Sequence, residues 1–351
     1  MRRALALAAT PGFALGGNPR VGCVLLDEDG RELGAGYHRG AGTDHAEVDA
    51  IRAARTAGHD LSGATAVVTL EPCDHTGRTG PCSEALLEAG IARVVHAQSD
   101  PNPVATGGAA RLRAAGVEVE QGLLAPEALA LNRYWTFAVG HGRPQVTWKF
   151  AASLDGRSAA ADGTSRWISS AAARRDAHLL RERVDTMLVG TGTLVADDPA
   201  LTVRDAHDAP LPVQPRRAVM GLRTIPEDAR VRGTDGNGVL HLATRDPRAA
   251  LAELFAAGAR DVLLEGGPHL AASFVRAGLV DEVVAYLAPV LLGAGPSAVA
   301  DLGITTIAGA LHLQVTEVTV LGDGPGTNLR LRMTPPHPAG APTAPAPEER
   351  N

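Results

Sequence analysis

Aromatic residues make up only 3% of this 351-residue chain, so its core must be filled by Ala, Val and Leu. Three cysteines build no disulfide framework. No apolar run reaches the roughly 18 residues that a membrane-spanning helix needs, so no contact with a membrane is expected. Positive charge is not in excess: 33 Lys and Arg stand against 39 Asp and Glu, net −6. A nucleic-acid footprint is therefore not expected. There is no Gly-Lys-Ser/Thr phosphate loop. The nearest approach to a dinucleotide fingerprint, Gly190-Thr191-Gly192-Thr193-Leu194-Val195, lacks its last glycine. Any nicotinamide cofactor must bind outside a standard Rossmann crevice. No internal repeat is visible. Met1-Arg2-Arg3-Ala4-Leu5-Ala6-Leu7 superficially resembles a signal peptide. Its apolar stretch is short, so a first helix is the expectation. These features fit a cytoplasmic enzyme of about two domains.

What is present is a histidine, a glutamate and two cysteines: His45-Ala46-Glu47, Pro72-Cys73 and Pro81-Cys82. Zinc deaminases of bases and nucleotides ligate the metal with one His and two Cys, and use a Glu two residues after the His to move protons. Neutral imidazole and two thiolates leave a tetrahedral Zn²⁺ one open position for an activated water. His45, Cys73 and Cys82 are the expected ligands and Glu47 the acid–base residue. Asp44 is expected to cap the helix that starts there. The apolar run Ala64 to Leu70 reads as a strand delivering Cys73. Cys23, inside Val21-Gly22-Cys23-Val24-Leu25-Leu26, reads as a buried core thiol. His-Ala-Glu alone occurs by chance. Two Pro-Cys elements downstream make scattered core residues the weaker reading.

The chain divides near Gly140-His141-Gly142-Arg143-Pro144. Before that point strand-like runs at 21–26, 64–70 and 92–97 alternate with Ala-rich helical stretches at 47–57, 82–90 and 109–115. After it come runs at 145–150, 186–190, 217–221, 239–243, 261–264, 282–287 and 313–321. Both halves read as α/β layers. Residues 334–351 are rich in Pro and Ala, without periodicity, and are expected to be a disordered tail. The expected domains are 1–142, 143–333 and that tail.

Eight residues separate Cys73 from Cys82, in Asp74-His75-Thr76-Gly77-Arg78-Thr79-Gly80-Pro81. With Asn18-Pro19-Arg20-Val21-Gly22 and Asp100-Pro101-Asn102-Pro103, this closely resembles the deaminase domain of the bifunctional riboflavin-biosynthesis deaminase/reductase family. The second half resembles that family's reductase in four places. These are Lys149 to Gly156, Ser165-Arg166-Trp167-Ile168, Gly190 to Arg204 with Ala196-Asp197-Asp198-Pro199, and Glu265-Gly266-Gly267-Pro268. The resemblance implies a cytidine-deaminase-like three-layer sandwich followed by a dihydrofolate-reductase-like domain. It implies Zn²⁺ and NADPH as cofactors and pyrimidine ribotides as substrates. The first reaction would be deamination of 2,5-diamino-6-ribosylamino-4(3H)-pyrimidinone 5′-phosphate. The second would be reduction of the ribosyl group to ribityl. A homo-oligomer is expected.

The same resemblance places Asn18, His38, Arg78 and Asn102 against the deaminase substrate; an Arg fork suits its phosphate. It places Ser165, Arg181, Leu201, Arg204 and Glu265 around the reductase substrate, with Arg181 and Arg204 as phosphate clamps. Ala151, Trp167, Thr193, Asp197, Gly266 and Gly267 would face NADPH. Lys149 and Glu265 are the ionisable pair expected to assist hydride transfer. From spacing alone Arg181 is one solvated charge among Arg174, Arg175 and Arg183 on one helix. Three departures from the family pattern stand out. Gly17 replaces a usual Pro before Asn18, Gly80 replaces a usual Pro before Pro81, and Met220-Gly221-Leu222 lacks a usual Asp-Ser. Other readings are a deaminase of a different base with an unrelated or inactive second half, and a structural zinc module. The last would favour four protein ligands, and only three cluster here.

Overall fold

The computed structural model describes residues 1–10, 17–76, 80–205, 207–233 and 238–336. Arg78 and most of the expected tail, 337–351, lie outside the described residues. Two compact units form: Met1–Gln145 with Leu251–Asp261, and Val146–Ala250 with Val262–Asn351.

The first sheet lies in the first unit and contains β1 (Gly22–Leu26), β2 (Glu32–Tyr37), β3 (Thr65–Leu70), β4 (Arg93–Gln98) and β5 (Glu118–Gln121). Its order is β2-β1-β3-β4-β5. The β2–β1 and β1–β3 pairs are antiparallel, and β3–β4 and β4–β5 are parallel. Side chains alternate across a strand, so two sets of glycines open the two faces. Gly22 admits the helix α1 (Arg2–Ala8): a Cβ there would strike the Ala4 carbonyl. Gly34 and Gly36, paired with Leu25 and Cys23 on the other face, admit α2 (Ala46–Thr56). A Cβ on Gly36 would stand 2.6 Å from the Ala46 carbonyl. Helices therefore cover both faces, which is the three-layer sandwich around a mixed sheet. α2 buries Ala46, Ala50, Ile51 and Ala54 against Cys23, Leu25 and Val68. Cys23 is fully buried. The N-cap of α2 is His45, not Asp44, and no side chain caps it. Asp44 instead pairs with Arg52 at 3.1 Å. The unit continues with α3 (Cys82–Glu88), α4 (Gly108–Ala114), α5 (Ala125–Leu131) and α6 (Arg133–His141).

The second sheet has eight strands in the order β12-β13-β11-β6-β10-β7-β8-β9. They are β6 (Gln145–Ser153), β7 (Thr186–Gly190), β8 (Arg216–Met220), β9 (Val239–Leu242), β10 (Asp261–Leu264), β11 (Glu282–Ala288), β12 (Gln314–Leu321) and β13 (Asn328–Thr334). β10, β7, β8 and β9 pair in parallel, and β12, β13 and β11 antiparallel. The parallel centre reads as buried runs such as Thr-Met-Leu-Val. Helices α7 (Ala171–Arg183), α8 (Thr191–Asp197), α9 (Pro247–Ala256) and α10 (Pro268–Arg276) complete the α/β pattern. Ser170 caps α7 by accepting from the Ala173 N–H at 3.2 Å.

Candidate functional site

The N-terminus of α2, the end of β3 and the N-terminus of α3 converge. They bring His45, Cys73 and Cys82 together, with one ligand atom from each within 4.8 Å of the others. His45 Nδ1 lies 3.2 Å from Cys82 Sγ and 3.5 Å from Cys73 Sγ. The Cys82 amide donates to Cys73 Sγ at 3.4 Å. Hydrogen bonds from Cys82 and His45 hold the Cys73 thiol down at about 4, against the pull of burial. One imidazole and two thiols, one already a thiolate at neutral pH, suit Zn²⁺. Glu47 is 3% exposed. Burial, then the Cys73 charge, pushes its carboxyl up to about 7, the range of a group that both takes and gives a proton near neutrality.

A cavity of about 240 Å³ opens beside these residues, with Asn18, His38, Asp100, Asn102 and Trp135 in its wall. His38 stands edge-on to His45, ring centroids 5.4 Å apart, and its Nδ1 meets the Asp44 carbonyl at 3.1 Å. The Asn18 loop is fixed by Asn132, which accepts from the Arg20 N–H at 2.8 Å and donates to the Arg20 carbonyl at 2.9 Å. Gly17 takes φ +92°, a conformation closed to proline, so a glycine there follows from the loop's path. Asn132 carries no motif of its own and goes unmarked in the sequence; Asp100 belongs to the Asp-Pro-Asn-Pro motif, but no role is expected of it there. Burial pushes the Asp100 carboxyl up to about 6.

In the second unit Arg181 is not a solvated helix charge. Its guanidinium forks onto Glu265, Nε to Oε1 and Nη2 to Oε2, each at 2.7 Å, and Nη1 donates to the Thr202 carbonyl at 3.3 Å. Lys149 Nζ lies 3.7 Å from the same carboxylate. Burial alone would raise Glu265; the charges of Arg181 and Lys149 outweigh it and hold the carboxyl at about 2. Lys149 also lies 5.7 Å from the Tyr286 ring centroid, and Tyr286 donates to Asp176 at 2.6 Å. Arg204 donates to the Asp208 carbonyl at 2.6 Å and to Thr202 Oγ1 at 3.2 Å.

Thr193 Oγ1 accepts from the Gly267 N–H at 3.1 Å, joining the α8 and α10 starts. A Cβ on Gly266 would stand 2.5 Å from Leu270 Cδ2, so any larger residue there must push the Leu270 side chain aside. Ala151 is half-buried on β6, and Leu201 is buried with φ +49°. Ser165, Trp167 and Asp197 are exposed; Arg174 lies over the Trp167 ring at 4.2 Å. Gly221 has φ +140°, and a Cβ there would stand 2.5 Å from Thr191 Oγ1. Glycine at the end of β8 thus answers to the close approach of α8.

Residues 144–325 match the family model "RibD C-terminal domain", and residues 1–98 match "Cytidine and deoxycytidylate deaminase zinc-binding region". The chain is 48% identical over 305 residues to the riboflavin biosynthesis protein RibD of Mycobacterium tuberculosis, covering 87% of this chain and 88% of that one. It is similar to the solved structure of Acinetobacter baumannii RibD, with TM-score 0.83, 36% identity, and 95% and 97% of the two chains covered. It is also similar to a Thermotoga maritima diaminohydroxyphosphoribosylaminopyrimidine deaminase/5-amino-6-(5-phosphoribosylamino)uracil reductase. There the TM-score is 0.79, the identity 31%, and the coverage again 95% and 97%.

Proposed function

Since the chain belongs to the RibD family of riboflavin-biosynthesis proteins, we propose that its halves carry out consecutive steps on one pyrimidine ribotide. It is a zinc-dependent deaminase joined to an NADPH-dependent reductase. Residues 1–142 would convert 2,5-diamino-6-ribosylamino-4(3H)-pyrimidinone 5′-phosphate to the aminouracil ribotide and ammonia. Residues 143–333 would reduce its ribosyl group to ribityl, giving 5-amino-6-ribitylamino-uracil 5′-phosphate. The observation that carries this reading is one donor set beside one buried carboxylate, His45, Cys73, Cys82 and Glu47, on the same chain as the Lys149–Glu265–Arg181 cluster.

His45, Cys73 and Cys82 would hold Zn²⁺, which would supply Lewis-acid activation of a water. Glu47 would move both protons of the attacking water in turn: the first goes to the ring nitrogen as the C–O bond forms, and the second, from the resulting hydroxyl, goes to the amino group as the C–N bond breaks and ammonia leaves. Asn18 and Asn102 hydrogen-bond the pyrimidine edge and sugar, His38 closes the wall beside His45, and Arg78 takes the phosphate.

Converting a ribosylamino to a ribitylamino group adds hydride at C1′, breaks the C1′–O4′ bond and puts a proton on O4′. NADPH supplies the hydride. Lys149 supplies the proton, and Glu265 holds that ammonium in place. Arg181 is committed to Glu265, so it fixes the carboxylate, and Arg204 is left as the phosphate anchor. Ser165 and Leu201 line the substrate. The Gly266–Gly267 turn would let the cofactor pyrophosphate approach the backbone, with the Gly267 N–H held by Thr193 Oγ1 and the Thr193 hydroxyl hydrogen left to donate. Trp167 covers a flat ring, and Ala151 and Asp197 border the cofactor.

Two free thiols as ligands support work in the reducing cytoplasm. Exposed Val315, Val318 and Val320 on the edge strand β12 support a homo-oligomer. The test is to incubate the protein with the diaminopyrimidine ribotide, with and without NADPH, and to identify products by mass. Ammonia and the aminouracil ribotide should form without NADPH, and the ribityl product only with it. A product reduced but not deaminated would refute the order, and no deamination at all would refute the substrate.

A further inference from the structure

We infer that Glu71 is a positioning residue of the deaminase site: its carboxylate ties both ends of the Asp100–Gly107 loop to the strand end that delivers Cys73, and so sets Asn102 at the cavity wall. The inference rests on reading Asn102 as a substrate contact.

Glu71 directly follows β3, two residues before Cys73, and is 9% exposed. Its Oε2 accepts from the Asp100 N–H at 3.2 Å, where the loop begins. Its Oε1 accepts from the N–H groups of Gly107 at 3.3 Å and Ala109 at 3.2 Å, where the loop ends and α4 starts. Its own N–H donates to the Gln98 carbonyl at 2.8 Å. One carboxylate therefore pins the loop at both ends. Within the loop, Asp100 Oδ1 accepts from the Asn102 N–H at 2.8 Å, and the Asn102 carbonyl accepts from Ala105 at 2.9 Å and Thr106 at 3.0 Å. The Ala105 carbonyl in turn accepts from the Asp74 N–H at 3.0 Å, and Ala105 packs on Cys73 and Cys82. Gly108 abuts the Pro72 carbonyl so closely that no Cβ fits. Loop and metal-ligand segment thus behave as one body with Glu71 as its tie.

Three backbone donors on two oxygens is a task for an ionised carboxylate, which only accepts. A glutamine would present an NH₂ to one end of the loop and leave a donor facing a donor. Both Glu71 oxygens are engaged by backbone, so its effect on catalysis passes through the loop; the proton belongs to Glu47.

The test is ammonia-release kinetics on the zinc-loaded full chain for wild type, Glu71→Gln, Asn102→Ala and the double variant. Glu71→Gln should keep zinc and NADPH oxidation, raise KM about tenfold and leave kcat nearly unchanged, the signature of lost uniform binding. The double variant should be no worse than Asn102→Ala, because both changes remove the same contact. Effects that multiply would overturn the inference. So would a lowered Tm with unchanged KM, or loss of zinc. If Glu71→Gln fails to fold, Glu71→Asp keeps the charge and shortens the reach; an unchanged KM there would equally overturn it. An Asn102→Ala variant with normal kinetics would instead refute the reading of Asn102, and the inference with it.

Discussion

Replacing Glu265 with Gln preserves shape and removes one charge from a buried three-residue cluster. The Glu265 side chain is 8% exposed, Arg181 20% and Lys149 18%. In the variant a guanidinium and an ammonium face each other with one amide oxygen between them. A carboxyl carried from 4.5 to about 2 reflects roughly 3 kcal/mol of preferential stabilisation of its ionised form. Breaking a buried ion pair from one side costs about 3–5 kcal/mol. On that scale the second unit should lose about 3 kcal/mol at pH 7. The pH dependence has a definite sign. The folded value lies below the unfolded one, so the contribution is complete above about pH 5 and is lost as pH falls toward 2. A protonated Glu265 resembles Gln, so wild type and variant should converge in acid. Native-state hydrogen exchange at the β7 and β10 amides reads this unit alone. A difference under about 1 kcal/mol at pH 7, or one that persists unchanged at pH 3, would refute the reasoning. In the same variant, NADPH oxidation should vanish while ammonia release persists.

Metal analysis should find about one Zn²⁺ per chain, bound through His45, Cys73 and Cys82; chelation should stop ammonia release and spare NADPH oxidation, and a metal-free active deaminase would contradict the ligand set. Glu47→Gln should retain its zinc and lose deamination by about 10²-fold or more; loss of zinc would make Glu47 a ligand instead. NADPH should give a higher kcat/KM than NADH, and equal values would refute a 2′-phosphate site in a chain where Gly221 and Leu222 replace the usual pair.

The three ligands and Glu47 are legible in the sequence because their chemistry restricts residue type, and α2, β3 and α3 start or end where those residues stand. The alternation of strands and helices is legible for the same kind of reason: buried parallel strands are unbroken apolar runs. β2 is not, because Glu-Leu-Gly-Ala-Gly-Tyr carries two glycines that weaken strand propensity. They are there to admit α2, and only the pairing of β2 with β1 reveals it. β13, Asn-Leu-Arg-Leu-Arg-Met-Thr, falls outside the expected runs although it alternates as a strand should; its arginines meet Asp176 and Glu282, partners far away in sequence. Arg181 shares its helix with three other arginines, and nothing local tells which one turns inward; that is decided by Glu265, 84 residues on. Glu71 is harder still, since its partners are backbone amides 29 to 38 residues downstream, and an amide has no residue type to read. A side chain whose partner is a metal leaves a pattern in the sequence. One whose partner is backbone leaves none, so residues that hold a site in position through backbone are found only from coordinates, and in this chain that applies to Glu71 and Asn132 alike.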